Sequence, residues 1–215
     1  MKNTACVLIL FASILAMACS NSPSAKGNSK SASPDVKKGV KPVADNEVAV
    51  IEMENSAAYG TIKIELYSNI APEMVRRFKE LANEGYYDGI AFHRINDTVI
   101  QAGNADTKPG RTPDPMKEGD SGKPNVPAEF SDVLYDTGIV GAARLGNDVN
   151  SQNSQFFIML KRESAFDTKY TAFGKVIDGM NNVRTISGVQ PKEGERPVEP
   201  IRIKHISIVP KEAGK

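Results

Sequence analysis

Arg94 and Gln101 are the two polar side chains best placed to do chemistry in this sequence. They stand seven residues apart in Ala91-Phe92-His93-Arg94-Ile95-Asn96-Asp97-Thr98-Val99-Ile100-Gln101, a strand-like run with a short polar break. A guanidinium is permanently charged and presents its N–H groups in a rigid fork, so it can stabilise electron density without moving a proton. An arginine in a strand is otherwise a solvated or ion-paired residue on a sheet face. Other chemistries are short of residues. Cys6 and Cys19 are the only cysteines, so a fold built after them has neither a disulfide nor a thiol nucleophile. His93 and His205 are the only histidines, which excludes a Cys/His zinc site, and neither sits with a G-x-S-x-G elbow. Neither a metal nor a cofactor is expected. The net charge is +1 and no Lys/Arg-rich block occurs, which argues against nucleic acid as a partner.

The elements that must position these residues are mostly short strands. Val48–Glu54 and Thr61–Tyr67 alternate or run apolar and predict a hairpin across 55–60. Ala71–Ala82 predicts a helix, with Pro72 in its first turn, Glu73 at the positive end of its dipole and Gly85 as its stop. Met74, Val75, Phe78, Leu81 and Ala82 form its core stripe. Residues 102–128 read as a long polar loop beside the site, and 145–153 as a second loop. Small residues from Thr137 to Arg144 predict a strand that allows close approach of another backbone or a bound peptide. Ser154–Leu160, Tyr170–Val176 and Pro200–Val209 complete the strands, with a second helix near 178–185. The class is mainly β, and 215 residues at 40% apolar content can bury one respectable core.

Several segments, in order, resemble the cyclophilin-type peptidyl-prolyl isomerases. They are Gly60–Leu66, Phe78-Lys79-Glu80-Leu81-Ala82, Tyr87–Arg94, Gln101-Ala102-Gly103, Gly138–Arg144, Ser154-Gln155-Phe156-Phe157-Ile158 and Phe173-Gly174-Lys175-Val176. The resemblance implies a closed antiparallel β-barrel with two capping α-helices and rotation about X–Pro bonds in proline-containing polypeptides. It implies that Arg94 donates to the prolyl nitrogen and that Gln101 holds the substrate backbone. Phe157 corresponds to the aromatic floor of the proline pocket, Phe166 to its apolar wall and Tyr170 to its lining. Ala143 and Arg144 correspond to the strand that pairs with substrate.

The sequence also departs from the family pattern. Thr98 and Val99 stand where an aromatic residue and a methionine usually line the pocket, in a segment one residue shorter than usual. Arg144 stands where Asn is frequent, and Ala165 replaces a bulky residue, often Trp, that contacts cyclosporin. These changes leave open a catalytically weak chaperone or adaptor that binds proline peptides.

Residues 1–18 read as an export signal: Lys2 precedes an apolar run from Ala5 to Ala18, shorter than the ~20 residues needed to span a bilayer. Ala18-Cys19 resembles a lipoprotein cleavage site with Cys19 lipidated, although Leu15 lies one position early; cleavage after Ala16-Met17-Ala18 is the alternative. Residues 19–46 read as a lipidated, disordered tether, 47–210 as the isomerase domain and 211–215 as a tail. The expectation is a monomer in the cell envelope that meets the membrane through its lipid alone.

Overall fold

The computed structural model describes residues 34–111, 120–190 and 192–212, so the expected signal and Cys19 lie outside the described residues. Two strands, β1 (Glu47–Met53) and β2 (Thr61–Leu66), pair antiparallel, and their alternating burial follows the apolar pattern. The link between them contains one helical turn, α1 (Ser56–Tyr59), where the sequence predicts a plain loop. Asn55 Oδ1 starts that turn by accepting the Ala58 N–H at 3.2 Å.

The main helix, α2 (Pro72–Asn83), ends as its sequence predicts. Gly85 takes φ +67°, its N–H donates to the Ala82 carbonyl, and the Tyr86 N–H reaches back to Leu81. These two bonds satisfy terminal carbonyls, and the left-handed residue between them favours glycine. All five residues of the expected stripe are buried, and Arg77 is buried beside them with Nη2 donating to the Pro124 carbonyl.

The remaining elements are β3 (Arg94–Ile95), β4 (Val99–Ala102), β5 (Ile139–Ala142), β6 (Phe156–Met159) and β7 (Ala172–Asp178). They are followed by α3 (Met180–Ser187), β8 (Lys192–Glu193), β9 (Arg196–Pro197) and β10 (Ile203–Pro210). Eight strands form one antiparallel sheet in the order β10-β1-β2-β7-β5-β6-β4-β3, and β8 and β9 pair as a separate small hairpin.

This sheet corrects the expected closed barrel: it is open, a curled half-barrel, and the described residues hold three α-helices in place of two. Strand β3 is two residues long and cannot ladder with β10 at the opposite end. Among the described residues a short set of backbone bonds crosses there, including Gly89 N–H to the Ile203 carbonyl and Phe92 N–H to Ile201, each 2.9 Å, around an isolated bridge between Ala91 and Arg202.

The main core packs one face of the sheet together with the buried faces of α2 and α3. At its centre Phe78 packs on Tyr87, Phe156 and Phe173, with ring centroids 5.3–5.5 Å apart. A second apolar cluster, built on Val99, Tyr135, Phe157 and Met159, lies on the other face of β4 and β6.

The described end of the expected tether is attached to this domain. Lys37 exchanges backbone bonds with Phe130 and Asp132, and its amine donates to the Ile70 carbonyl at 2.8 Å. Asp45 accepts from Ser68 and pairs with Lys79 at 2.7 Å. Composition misses this attachment because it is made through polar and backbone groups, not apolar burial. Among the described residues no helix is long and apolar enough to cross a membrane.

Candidate active site

The site follows from strand register. In the β3–β4 hairpin Arg94 lies directly opposite Gln101. Gln101 in turn faces Phe157 of β6, and Phe157 faces Gly141 of β5. Directly paired residues on antiparallel strands share a face, so one cross-strand row carries the cation, the amide, the ring and a gap. The neighbouring row points the other way and carries Ile95, Ile100, Ile158 and Val140 into the main core.

The gap is necessary. A Cβ on Gly141 would meet the Phe157 ring carbons at 2.3, 2.7 and 3.0 Å. The small residues of this strand were expected to admit another backbone or a peptide. At Gly141 the missing side chain makes room for the Phe157 ring.

The hairpin turn is held by Asn96, whose Oδ1 accepts the N–H groups of Thr98 and Val99, each at 2.9 Å. Alternation then sends Val99 to the site face, where it is buried, and Thr98 away from it. Thr98 does not line the site, which corrects its placement in the pocket; its carbonyl accepts from Leu160 N–H.

Arg94, Gln101 and Phe157 open onto a concavity of about 200 Å³, and Val99, Phe166 and Tyr170 are also on its wall. Phe157 meets Tyr170 edge-on at 5.6 Å and Phe166 edge-on at 5.5 Å, while Phe166 and Tyr170 are 4.8 Å apart. Ala143 and Arg144 complete the rim. The Ala143 N–H is already committed to the Gln155 carbonyl at 2.9 Å. Arg144 lies over the Tyr170 ring, 4.6 Å from its centroid, and donates to the carbonyls of Leu145, Gly146 and Lys169.

Gln101, Ala143 and Arg144 also line a second chamber of about 280 Å³. Asp120 and Asn125 of the first long loop line this chamber, as expected of that loop, and Ser151 and Asn153 of the second loop line it too.

Three further side chains bear on the site, and two of them, Tyr135 and Glu195, have no local sequence signal. Tyr135 lies beneath the aromatic wall, within 5.9–6.5 Å of Phe157, Phe166 and Tyr170. Its buried hydroxyl has no partner among the described residues, and burial pushes its pKa well above the usual phenol value. Gln155 Oε1 accepts from Gln101 Nε2 at 3.0 Å. Glu195, in the turn between β8 and β9, accepts from Arg94 Nε at 2.5 Å and from Asn96 Nδ2 at 2.7 Å. Those two bonds, from Asn96 and from Arg94, hold its carboxyl below the usual carboxylate range.

The preceding residue, His93, is mostly buried, and burial pushes its imidazole down to about 4, so it is neutral near pH 7. It adds no charge beside Arg94. Among the described residues no cluster of His, Cys, Asp and Glu could hold a metal ion.

What this arrangement can offer is one fixed cationic donor and one amide over an aromatic floor. Residues 50–208 match the family model "Cyclophilin type peptidyl-prolyl cis-trans isomerase/CLD". The chain is 36% identical over 163 residues to the peptidyl-prolyl cis-trans isomerase ppi1 of Schizosaccharomyces pombe, covering 73% of this chain and 96% of that protein. It is 39% identical over 133 residues to a probable peptidyl-prolyl cis-trans isomerase of Brucella suis, covering 59% of this chain and 66% of that one. A cyclophilin-type isomerase of Cryptosporidium parvum, whose structure was solved in the presence of the dipeptide Ala-Pro, superposes with a TM-score of 0.64 at 25% identity. That superposition covers 77% of this chain and 99% of the other. The chain belongs to the cyclophilin-type peptidyl-prolyl cis-trans isomerases.

Proposed function

We propose that the 200 Å³ concavity receives the proline ring of an X–Pro segment and that Arg94 catalyses rotation about the preceding peptide bond. The barrier to that rotation is ~18–20 kcal/mol because the bond has partial double-bond character. As the bond twists, amide resonance is lost and the prolyl nitrogen regains a lone pair. A fixed N–H donor aimed there binds the twisted state better than either planar form, which is the requirement for catalysis. Gln101 holds the substrate backbone, and Phe157, Phe166, Tyr170 and Val99 enclose the ring. The single observation that carries this reading is the register row that sets Arg94 and Gln101 over the Phe157 face.

NMR exchange between cis and trans forms of a short X–Pro peptide tests it on the purified full chain. Wild type is expected to catalyse exchange and Arg94→Ala to lower the rate about 100-fold or more, the scale for removing one aimed donor. An Arg94→Ala variant as active as wild type refutes the assignment.

The substrates proposed are exported polypeptides, with the protein anchored in the cell envelope by lipid on Cys19. This rests on Lys2, the apolar run and Ala18-Cys19. Cys19→Ala is expected to release the protein from membranes, and mass spectrometry to find acyl chains on the native N-terminus. Native protein that begins at Cys19 without lipid counts against the anchor.

A further inference from the structure

The β8–β9 hairpin sits beside the Arg94 end of the site although it is not part of the main sheet. Lys192 pairs with Pro197 and Glu193 with Arg196, so the turn consists of Gly194 and Glu195. A backbone bond of 2.6 Å from the Ile95 N–H to the Glu195 carbonyl docks that turn on β3, the end strand of the sheet. Both carboxylate oxygens are then used: Oε2 by Arg94 Nε and Oε1 by Asn96 Nδ2. Asn96 is held in turn, because its Oδ1 accepts from Thr98 and Val99.

Arg94 has a half-exposed side chain, which packing alone would leave free among many rotamers. The carboxylate takes the Nε edge of the guanidinium. Among the described residues neither Nη atom has a hydrogen-bond partner, so the two Nη groups stay available for substrate. Catalytic donors need placement to within about 0.5 Å, and a supporting contact of this kind supplies it.

We infer that Glu195 is a positioning residue for Arg94: through one carboxylate it ties the Asn96 turn and the β8–β9 hairpin to the guanidinium and aims the free Nη groups at the prolyl nitrogen. This rests on the role proposed for Arg94 and names the residue that makes that role effective.

The test uses the full chain and an X–Pro peptide, with kcat and KM separated by NMR line shape. Glu195→Ala is expected to lower kcat about tenfold, on the scale by which small misplacements slow reactions, with KM changed less than twofold. Glu195→Gln retains an oxygen acceptor for Nε–H and is expected to recover most of the loss. In the Arg94→Ala background, Glu195→Ala is expected to cost nothing further. A spectroscopic readout stands apart from activity: the Arg94 Nε–H should exchange slowly with solvent in wild type and fast in Glu195→Ala.

An unchanged kcat in Glu195→Ala overturns the inference. So does a raised kcat, which would mean that the carboxylate competes with substrate for the donor. Fast Nε–H exchange in wild type overturns it even if Glu195→Ala fails to fold. If Arg94→Ala itself costs no activity, the underlying reading of Arg94 fails instead, and the two failures are told apart.

Discussion

Phe156 and Phe157 are consecutive residues of one strand, yet each belongs to a different aromatic cluster. Phe156 joins Phe78, Tyr87 and Phe173, all fully buried, and the Tyr87 hydroxyl donates to the Ser154 carbonyl at 3.1 Å. Phe157 joins Tyr135, Phe166 and Tyr170, and the last two are only partly buried. Ring spacings are similar, 5.3–5.7 Å in the first cluster and 4.8–6.5 Å in the second. What differs is closure. Rings meet on every side of the interior cluster, whereas the site cluster leaves one side open, rimmed by cations that are themselves held. Arg94 is bonded to Glu195, and Arg144 to three carbonyls. An aromatic cluster becomes a binding surface when polar groups prevent its open side from collapsing.

The sharpest way to break this comparison is to truncate both neighbours. Phe156→Ala is expected to destabilise the protein by ~3–5 kcal/mol, the range for a large ring removed from a closed core. Phe157→Ala borders a space that water can enter, so its cost should be nearer the transfer share of about 2 kcal/mol, accompanied by a large loss of isomerase activity. Denaturant titration and peptide exchange measure the two effects. Equal destabilisation with full activity in Phe157→Ala would erase the distinction.

A subtler probe is Gly141→Ala. The added methyl collides with the Phe157 ring, and overpacking of this kind costs ~1–3 kcal/mol. The expected outcome is a shifted Phe157 resonance and weaker peptide binding, while the signals of Phe78 and Phe173 stay in place. Spread of the disturbance to both clusters would show that they are mechanically one.

Acid should also separate the two regions, since His93 lies beside Arg94 on the site side of the molecule. Its folded pKa, about 4, is below the usual 6.5, because burial disfavours the imidazolium. The unfolded chain therefore binds more protons between these values. The contribution is fully present above about 6.5 and is lost as the pH falls toward 4, roughly 2 kcal/mol between pH 7 and 5. Chemical denaturation at the two pH values, compared with His93→Gln, isolates it. A His93→Gln variant with the same pH slope as wild type would refute the assignment.

The smallest expected effect lies at the rim. Ala165 is exposed in a single 3₁₀ turn, Ser164–Phe166, where the family resemblance places a bulky residue that contacts cyclosporin. Weak inhibition is expected, and Ala165→Trp should tighten it roughly tenfold, about 1.4 kcal/mol. Calorimetry on both proteins decides it, and tight binding by wild type would show a differently built rim.

Much of this was legible in the sequence because the information is local. Pro72 and Gly85 bound a helix through their own backbone preferences, and the period of Met74, Val75, Phe78, Leu81 and Ala82 names its buried face. Arg94 and Gln101 are joined by a four-residue hairpin turn, so their shared face follows from spacing once the strands are recognised. Thr98 falls off the site face because one position reverses the face of a strand, and the bonds to Asn96 set that position.

The remainder depends on contacts between distant parts of the chain. Glu195 meets Arg94 across 101 positions, and Tyr135 reaches the pocket floor from a stretch without distinguishing pattern. The docking of Lys37 and Asp45 is made of polar bonds that no apolar period announces. Whether the sheet closes is likewise decided by strand length and curl at its two ends, not by the composition of either. Sequence alone determined the main helix, the long strands and the shared face of Arg94 and Gln101. Tertiary structure decided what holds that pair in position, because a carboxylate acts on whatever folding brings within hydrogen-bond reach.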